Sequence, residues 1–288
     1  SNDVSKLSIG KVQYSYLPNS VGGIVDDLLV YQLGKNKYML VVNASNIEKD
    51  YKWLNENNSF KCEITNKSDE YSLLALQGPQ SLELIKQISN SNISELKYYN
   101  FIIGNIGEIK DVIISRTGYT GELGYELYVK NSFVTNLWNV LFSTNIQLNP
   151  IGLAARDTLR LEKGYCLYGN EINDFTSPIE ADLTWITKFN KNFVGKDIIH
   201  KVYKEGRTKK LVGIELLDKG IARKDYKIYS PTKQIEIGYV TSGTMSPSLN
   251  KPIAIGFVDI KYSDINTIVE ISVRNKKIKS KVVNLPFI

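Results

Sequence analysis

The hydrophobic pattern of this chain changes character near residue 200, and that change limits the folds open to it. Upstream, strand-like and helix-like stretches alternate at spacings that suit α+β domains. From Leu211 onward only short β runs appear, at Leu211–Leu216, Gln234–Thr241, Ile253–Val258 and Val269–Val273. Gly, Pro, Ser and Asn separate them, which predicts a small all-β C-terminal domain. A hydrophobic fraction of 42% over 288 residues supports a sizeable core and two or three domains.

The upstream part divides again. Residues 1–67 read as strand Val12–Tyr16, a turn from Pro18 to Gly23, strand Ile24–Val30 and strand Lys37–Asn43. Ser45 and Glu48 then have capping-box spacing before a helix with Ile47, Tyr51 and Leu54 on one face. Residues 68–200 open with strand Ser72–Gln77, turned by Gly78-Pro79 into a helix bearing Leu82, Ile85 and Ile88. Ile113–Ser115 leads into a glycine-rich stretch ending at Glu126. Ser132 is placed to cap a helix with Phe133, Leu137, Val140 and Leu141. A further helix spans Leu153–Lys163, with Gly164 placed to end it. Residues 201–288 form the all-β part.

Composition removes several function classes. Two distant cysteines, Cys62 and Cys166, make neither a disulfide framework nor a zinc pattern. The single His200 cannot build a His-rich metal centre and reads as a surface helix residue, so no metal ligands are expected. No apolar run approaches the ~20 residues that span a bilayer, and no glycine loop matches a phosphate cradle. Neither a membrane nor a nucleic acid is expected as partner. Against 30 acidic residues stand 36 basic ones, giving a formal charge of +6 scattered along the chain. That excess suits ordinary solubility or recruitment of a polyanionic ligand. No signal peptide is visible, and the start at Ser1-Asn2-Asp3 reads as the interior of a longer protein.

Three constellations could carry chemistry. In Gly22-Gly23-Ile24-Val25-Asp26-Asp27 two adjacent acids enter an apolar strand. Strand neighbours point to opposite faces, so one acid must be buried and hydrogen-bonded or line a cavity. The stretch Ser115–Glu122 gathers Arg, Tyr and Glu within a few residues of tight turns, either as a binding loop or as a plain hairpin with a surface Arg. Arg156 and Arg160 lie one helical turn apart, where an anion between them or ion pairs with Asp157 and Glu162 would offset their repulsion.

Taken in order, several stretches resemble the glycine cleavage T-protein family over nearly the whole chain. They include Gly22–Leu28, Val41–Asp50, Leu76-Gln77-Gly78-Pro79 and Ser115–Glu126. Ala155-Arg156-Asp157, Leu161–Gly164, Leu167–Asn170, Phe193–Lys196 and Thr241–Pro247 extend the series. The resemblance implies an α+β, multi-domain cloverleaf around a central folate site, with two α+β domains and a C-terminal β-barrel-like domain. It implies an aminomethyltransferase that moves the one-carbon unit from the aminomethyl-dihydrolipoyl arm of the H-protein to tetrahydrofolate, releasing ammonia. Asp27 matches the catalytic Asp, and Tyr14, Tyr31, Asn43, Tyr119, Glu126, Arg156 and Tyr165 match folate-site positions. The family also carries a segment ahead of the position matching Ser1. Its bacterial members work in the cytoplasm and its eukaryotic members in the mitochondrial matrix.

Two relatives of this fold are the alternatives. An iron–sulfur cluster maturation branch carries Lys-Gly-Cys-Tyr where this chain has Lys163-Gly164-Tyr165-Cys166, with the last two reversed. The folate domain of a sarcosine or dimethylglycine oxidase would require a flavin part, which has no counterpart in this sequence.

Overall fold

A computed structural model of the chain describes residues 1–274 and 276–288. It holds three sheets. Strands β1 (Val12–Pro18), β2 (Ile24–Gly34) and β3 (Lys37–Val41) form the first, in that order, with β2 and β3 antiparallel. Helix α1 (Ile47–Glu56) follows, half-burying Ile47, Tyr51 and Leu54. The expected capping box is not formed. The chain enters α1 through a 3-10 turn, Ala44–Asn46, so the cap falls on Asn46 and Glu48 sits one position too early to reach back. Ser132 likewise lies inside a 3-10 turn, Asn131–Phe133, and Phe133 takes the cap position of the next helix.

The second sheet is antiparallel, built from β4 (Tyr71–Gln77), β5 (Phe101–Ile106), β6 (Ile109–Ser115) and β7 (Gly124–Lys130) in the order β4-β7-β6-β5. Helices α2 (Ser81–Ile88) and α3 (Val134–Phe142) cover one face. Leu84, Ile85, Leu137 and Leu141 pack there on Leu76, Val112, Ile114, Leu127 and Val129. The other face places Phe101, Ile113 and Tyr128 against Val12 and Tyr31, with Leu29, Met39 and Val41 beside them. Both faces of β7 are therefore covered, and only Lys130 at its end is exposed.

Helices α4 (Leu153–Glu162) and α5 (Lys196–Glu205) precede the third sheet. Gly164, at φ +70°, ends α4 by donating its N–H to the Leu161 carbonyl at 2.9 Å. Strands β8 (Lys209–Leu216), β9 (Lys227–Tyr229), β10 (Glu236–Ser246), β11 (Lys251–Asp259), β12 (Ile268–Val273) and β13 (Lys276–Val283) close into a barrel, ordered β10-β11-β8-β13-β12-β9. Closure leaves no open edge. Ile214, Ile228, Val240, Val258, Val269 and Ile271 fill it.

By contacts the chain forms two compact units. The barrel unit comprises Ser1–Asp3, Tyr16–Asp27 and Leu153–Ile288; the sheet unit comprises Val4–Ser15 and Leu28–Gly152. Both β1 and β2 pass from one unit's membership to the other's along their length.

Candidate functional site

In the barrel unit, the start of β2 is fixed by the turn before it. The Asn19 side chain donates to the Asp174 carbonyl at 2.7 Å and accepts the Gly23 N–H at 2.8 Å; Ile24 donates to the Asn173 carbonyl at 3.0 Å. A Cβ on Gly23 would sit 1.8 Å from the Asp174 carbonyl oxygen, so backbone approaches backbone where only glycine fits. This seating sets the alternation that follows. Asp26 is 0% exposed, whereas Asp27 is half-buried and reachable.

Asp27 also lies near enough to Cys166 to act on it. Burial pushes the Cys166 thiol well up, and the charges of Glu171 and Asp27 add to the shift. The thiol is a protonated neighbour, not a nucleophile. Tyr165, next in the chain, is half-buried, and its backbone is clamped by Arg160. Its N–H donates to the Arg160 carbonyl at 2.9 Å, and its carbonyl accepts from Arg160 Nη1 at 3.0 Å.

Arg160 is 0% exposed and ties α4 to its surroundings. Nη1 meets Glu171 at 2.8 Å, Nη2 meets Asp157 at 2.7 Å, and Nη2 also donates to Ser242 Oγ at 2.7 Å. Glu171, also 0% exposed, accepts from the Leu167 N–H and from the hydroxyls of Thr241 and Ser242. A register shift in β10 between Val240 and Ser242 lets these consecutive hydroxyls reach one carboxylate oxygen. The two arginines of α4 thus have different environments: Arg160 is consumed inside the protein, and Arg156 is exposed. The expected pair of Arg160 with Asp157 forms, but its other partner is Glu171, not Glu162. Glu162 instead accepts from Ser246 and Ser248.

In the sheet unit, the glycine-rich stretch wraps around one side chain, Gln77. Its amide donates towards the carbonyls of Leu76, Thr117 and Tyr125, and its oxygen accepts from Thr120 Oγ1 at 3.0 Å. A Cβ on Gly118 or Gly124 would strike that amide at 2.1 or 2.4 Å, which explains both glycines. Arg116 donates to the Leu96 carbonyl at 2.7 Å, a structural use. Tyr119 is half-buried in this turn, as are Tyr14 on β1 and Asn43 after β3.

Glu126 on β7 is 8% exposed and faces a group of hydroxyls. Its Oε2 accepts from Thr117 Oγ1 at 2.5 Å and, more weakly, from the Tyr128 hydroxyl at 3.4 Å. Ser115 stands opposite Glu126 across the strand pair, with its Oγ 2.9 Å from Thr117 Oγ1. Tyr31 donates to Ser115 Oγ at 3.0 Å and lies 3.0 Å from the Tyr128 hydroxyl. Tyr31 has no exposed surface, so its hydroxyl is turned to these neighbours and not outward. Burial and the Glu126 charge raise both phenols, Tyr31 to about 12 and Tyr128 further. Both remain neutral donors through the physiological range. Sequence reasoning missed Gln77, Thr117, Tyr128 and Glu171. The glycines around Gln77 were a usable signal; the others are set by strand register and chain return.

Among the described residues no group of three or more His, Cys, Asp or Glu could hold a metal ion, and no helix is long and apolar enough to cross a membrane. The His200 ring on α5 lies 4.6 Å from that of Phe189, tilted by 32°.

Residues 1–191 match the family model described as the GCVT N-terminal domain. Residues 209–288 match the glycine cleavage T-protein C-terminal barrel domain. An aminomethyltransferase of Flavobacterium psychrophilum is 49% identical over 100% of this chain and 80% of its own. One of Halothermothrix orenii is 48% identical over 100% of this chain and 81% of its own. The crystal structure of glycine cleavage system aminomethyltransferase T from Bartonella henselae matches with TM-score 0.90 at 34% identity, covering 98% of this chain and 77% of that one. The iron–sulfur and oxidase alternatives draw no support from these matches.

Proposed function

The chain belongs to the glycine cleavage T-protein family of aminomethyltransferases, and we propose that it carries out that transfer with tetrahydrofolate as acceptor and the lipoylated H-protein as donor. The carbon of the aminomethyl group leaves sulfur and its own nitrogen and bonds to N5 and N10 of the folate. The two protons lost from N5 and N10 end on ammonia and on the freed lipoyl thiol. The product is 5,10-methylene-tetrahydrofolate, and no redox partner is needed.

Asp27 is the group we assign to the reacting nitrogens. A half-buried carboxylate accepts a hydrogen bond from N10 and aids the attack of N5, so catalysis is mostly positioning with a modest proton-transfer part. The split of the acidic pair carries this reading: Asp26 is sealed in and Asp27 is left reachable on the same strand. Glu126 accepts the paired ring donors of the pterin. Arg156, exposed on α4, takes a tail carboxylate. Tyr14, Asn43, Tyr119 and Tyr165 supply flat walls and polar tips, and Tyr31 acts from behind Glu126. The sheets in segments 1–67, 68–200 and 201–288 are read as three domains. The relatives are bacterial, and the reading places the reaction in the cytoplasm.

The test is ammonia release from aminomethylated H-protein in the presence of tetrahydrofolate, measured for the parent and Asp27→Asn. The variant is expected to bind folate and lose at least roughly a hundredfold in turnover. A parent that binds no tetrahydrofolate, or an Asp27→Asn variant with parental turnover, defeats the reading.

A further inference from the structure

We infer that Thr117 is a positioning residue for the pterin: backed by Ser115, Tyr31 and Tyr128, it pins one oxygen of Glu126 so that the carboxylate is held in a single orientation. The inference rests on the folate reading above and adds residues to it that touch no ligand themselves.

Strand alternation and register build the arrangement. Glu126 and Tyr128 are two apart on β7 and share a face; Ser115 is the cross-strand partner of Glu126, and Ile113 that of Tyr128. Phe101 closes the same face 5.2 Å from the Tyr31 ring, and the Tyr128 ring lies edge-on to Tyr31 at 5.7 Å. The floor under Glu126 is thus apolar and packed, broken only by hydroxyls.

Those hydroxyls have one consistent order. Tyr31 donates to Ser115 Oγ at 3.0 Å, Ser115 can then donate to Thr117 at 2.9 Å, and Thr117 donates to Glu126 Oε2 at 2.5 Å. Every proton in the chain points towards the carboxylate. Tyr128 donates to the same oxygen at 3.4 Å. Hydrogen bonds to an ionised acceptor are among the stronger ones, and in a buried network each bond polarises the next. A carboxylate that must accept two ring donors side by side needs its plane fixed. An unpinned one gives up binding energy to settle into place. Glu126 is 8% exposed, so a ligand can approach it only over a small opening, and its orientation there decides whether two donors fit or one.

The test is calorimetric titration of tetrahydrofolate into the full chain, with melting temperature recorded for every variant. Thr117→Val keeps the shape and removes the donor; it is expected to weaken folate binding roughly tenfold, the cost of immobilising the loosened Glu126 carboxylate when the ligand binds. Thr117→Ser, which keeps the hydroxyl, is expected to restore binding. In a Glu126→Ala background Thr117→Val is expected to add no further loss, because its effect passes through Glu126. A tail-less tetrahydropterin should lose the same factor as tetrahydrofolate. Parental affinity in Thr117→Val, failure of Thr117→Ser to rescue, or full additivity with Glu126→Ala overturns the inference while leaving the folate reading intact. A folded parent that binds no tetrahydrofolate overturns both.

Discussion

Arg160→Met tests the interior of the barrel unit most sharply. The substitution removes a guanidinium with 0% exposure and leaves the Glu171 carboxylate, also 0% exposed, without its cation. Losing one partner of a buried pair costs about 3–5 kcal/mol, mostly the penalty of the charge left behind. Glu171 keeps three donors, the Leu167 N–H and the hydroxyls of Thr241 and Ser242. These offset part of the penalty, so the low end, about 3 kcal/mol, is expected. For a unit of this size each kcal/mol moves the melting temperature by about 2–4 °C, giving a fall of roughly 10 °C. Because a two-unit chain need not unfold in one step, the assay should follow the barrel unit alone. Trp185 belongs to it, whereas Trp53 and Trp138 belong to the sheet unit and can be replaced by Phe. Urea and thermal unfolding would then be read from Trp185 fluorescence. Arg160→Met/Glu171→Leu, which removes both charges, should regain at least half of the loss. A single-mutant cost below about 1 kcal/mol, or a double mutant as costly as the two singles added, would refute the assignment of a coupled buried pair.

Further outcomes follow from other parts of the structure. Gly23→Ala forces a Cβ against the Asp174 carbonyl and should lower the yield of folded protein and its melting temperature by more than any exposed Gly→Ala change, such as Gly152→Ala. Tyr31 is held to about 12, so the folded chain keeps its phenol protonated while the unfolded chain ionises it above about 10. That contribution is complete below pH 10 and is lost as pH rises towards 12, on the order of 2–3 kcal/mol. Tyr31→Phe should flatten the fall in stability over that window. Cys166, with its thiol pushed well up by burial, should resist iodoacetamide at pH 8 in the native state while exposed Cys62 reacts. Mass spectrometry finding both labelled equally would count against the placement of Cys166.

Much of this architecture is legible in the residues, and the misses share a cause. The break in periodicity near residue 200 foretold the β tail because Gly, Pro and Asn punctuate it. Strand β13 went unseen because Lys276, Lys277, Lys279 and Lys281 dominate its composition. Only the register shows Ile278, Ser280 and Val282 pointing inward between them. The caps of α1 and α3 were displaced by 3-10 turns, a one-residue shift that side-chain pattern does not record. At the site, alternation alone required that Asp26 and Asp27 part company, and they do. Local spacing offered Glu162 as the partner of Arg160. The chain instead brings back Glu171, eleven residues on, where Thr241 and Ser242 of β10 also donate to it. Tyr31 stands out in sequence only as a tyrosine after the acidic pair; that it is sealed beneath Phe101 and Tyr128 depends on the pairing of distant strands.

The interleaving of the two units bears on how the chain is made. Emerging from the ribosome in order, residues 28–152 can collapse as soon as they appear, joined by the already synthesised 4–15. Tyr16–Asp27 belongs with Leu153–Ile288 and must wait through more than a hundred residues of synthesis for its own partners. The first residues of β2, Ile24–Asp27, are therefore seated late, across a long sequence separation of the kind that slows folding. A chain stopped at residue 152 lacks Asn173 and Asp174, which seat the turn before the acidic pair, so the acid is set in place only after those residues have been made.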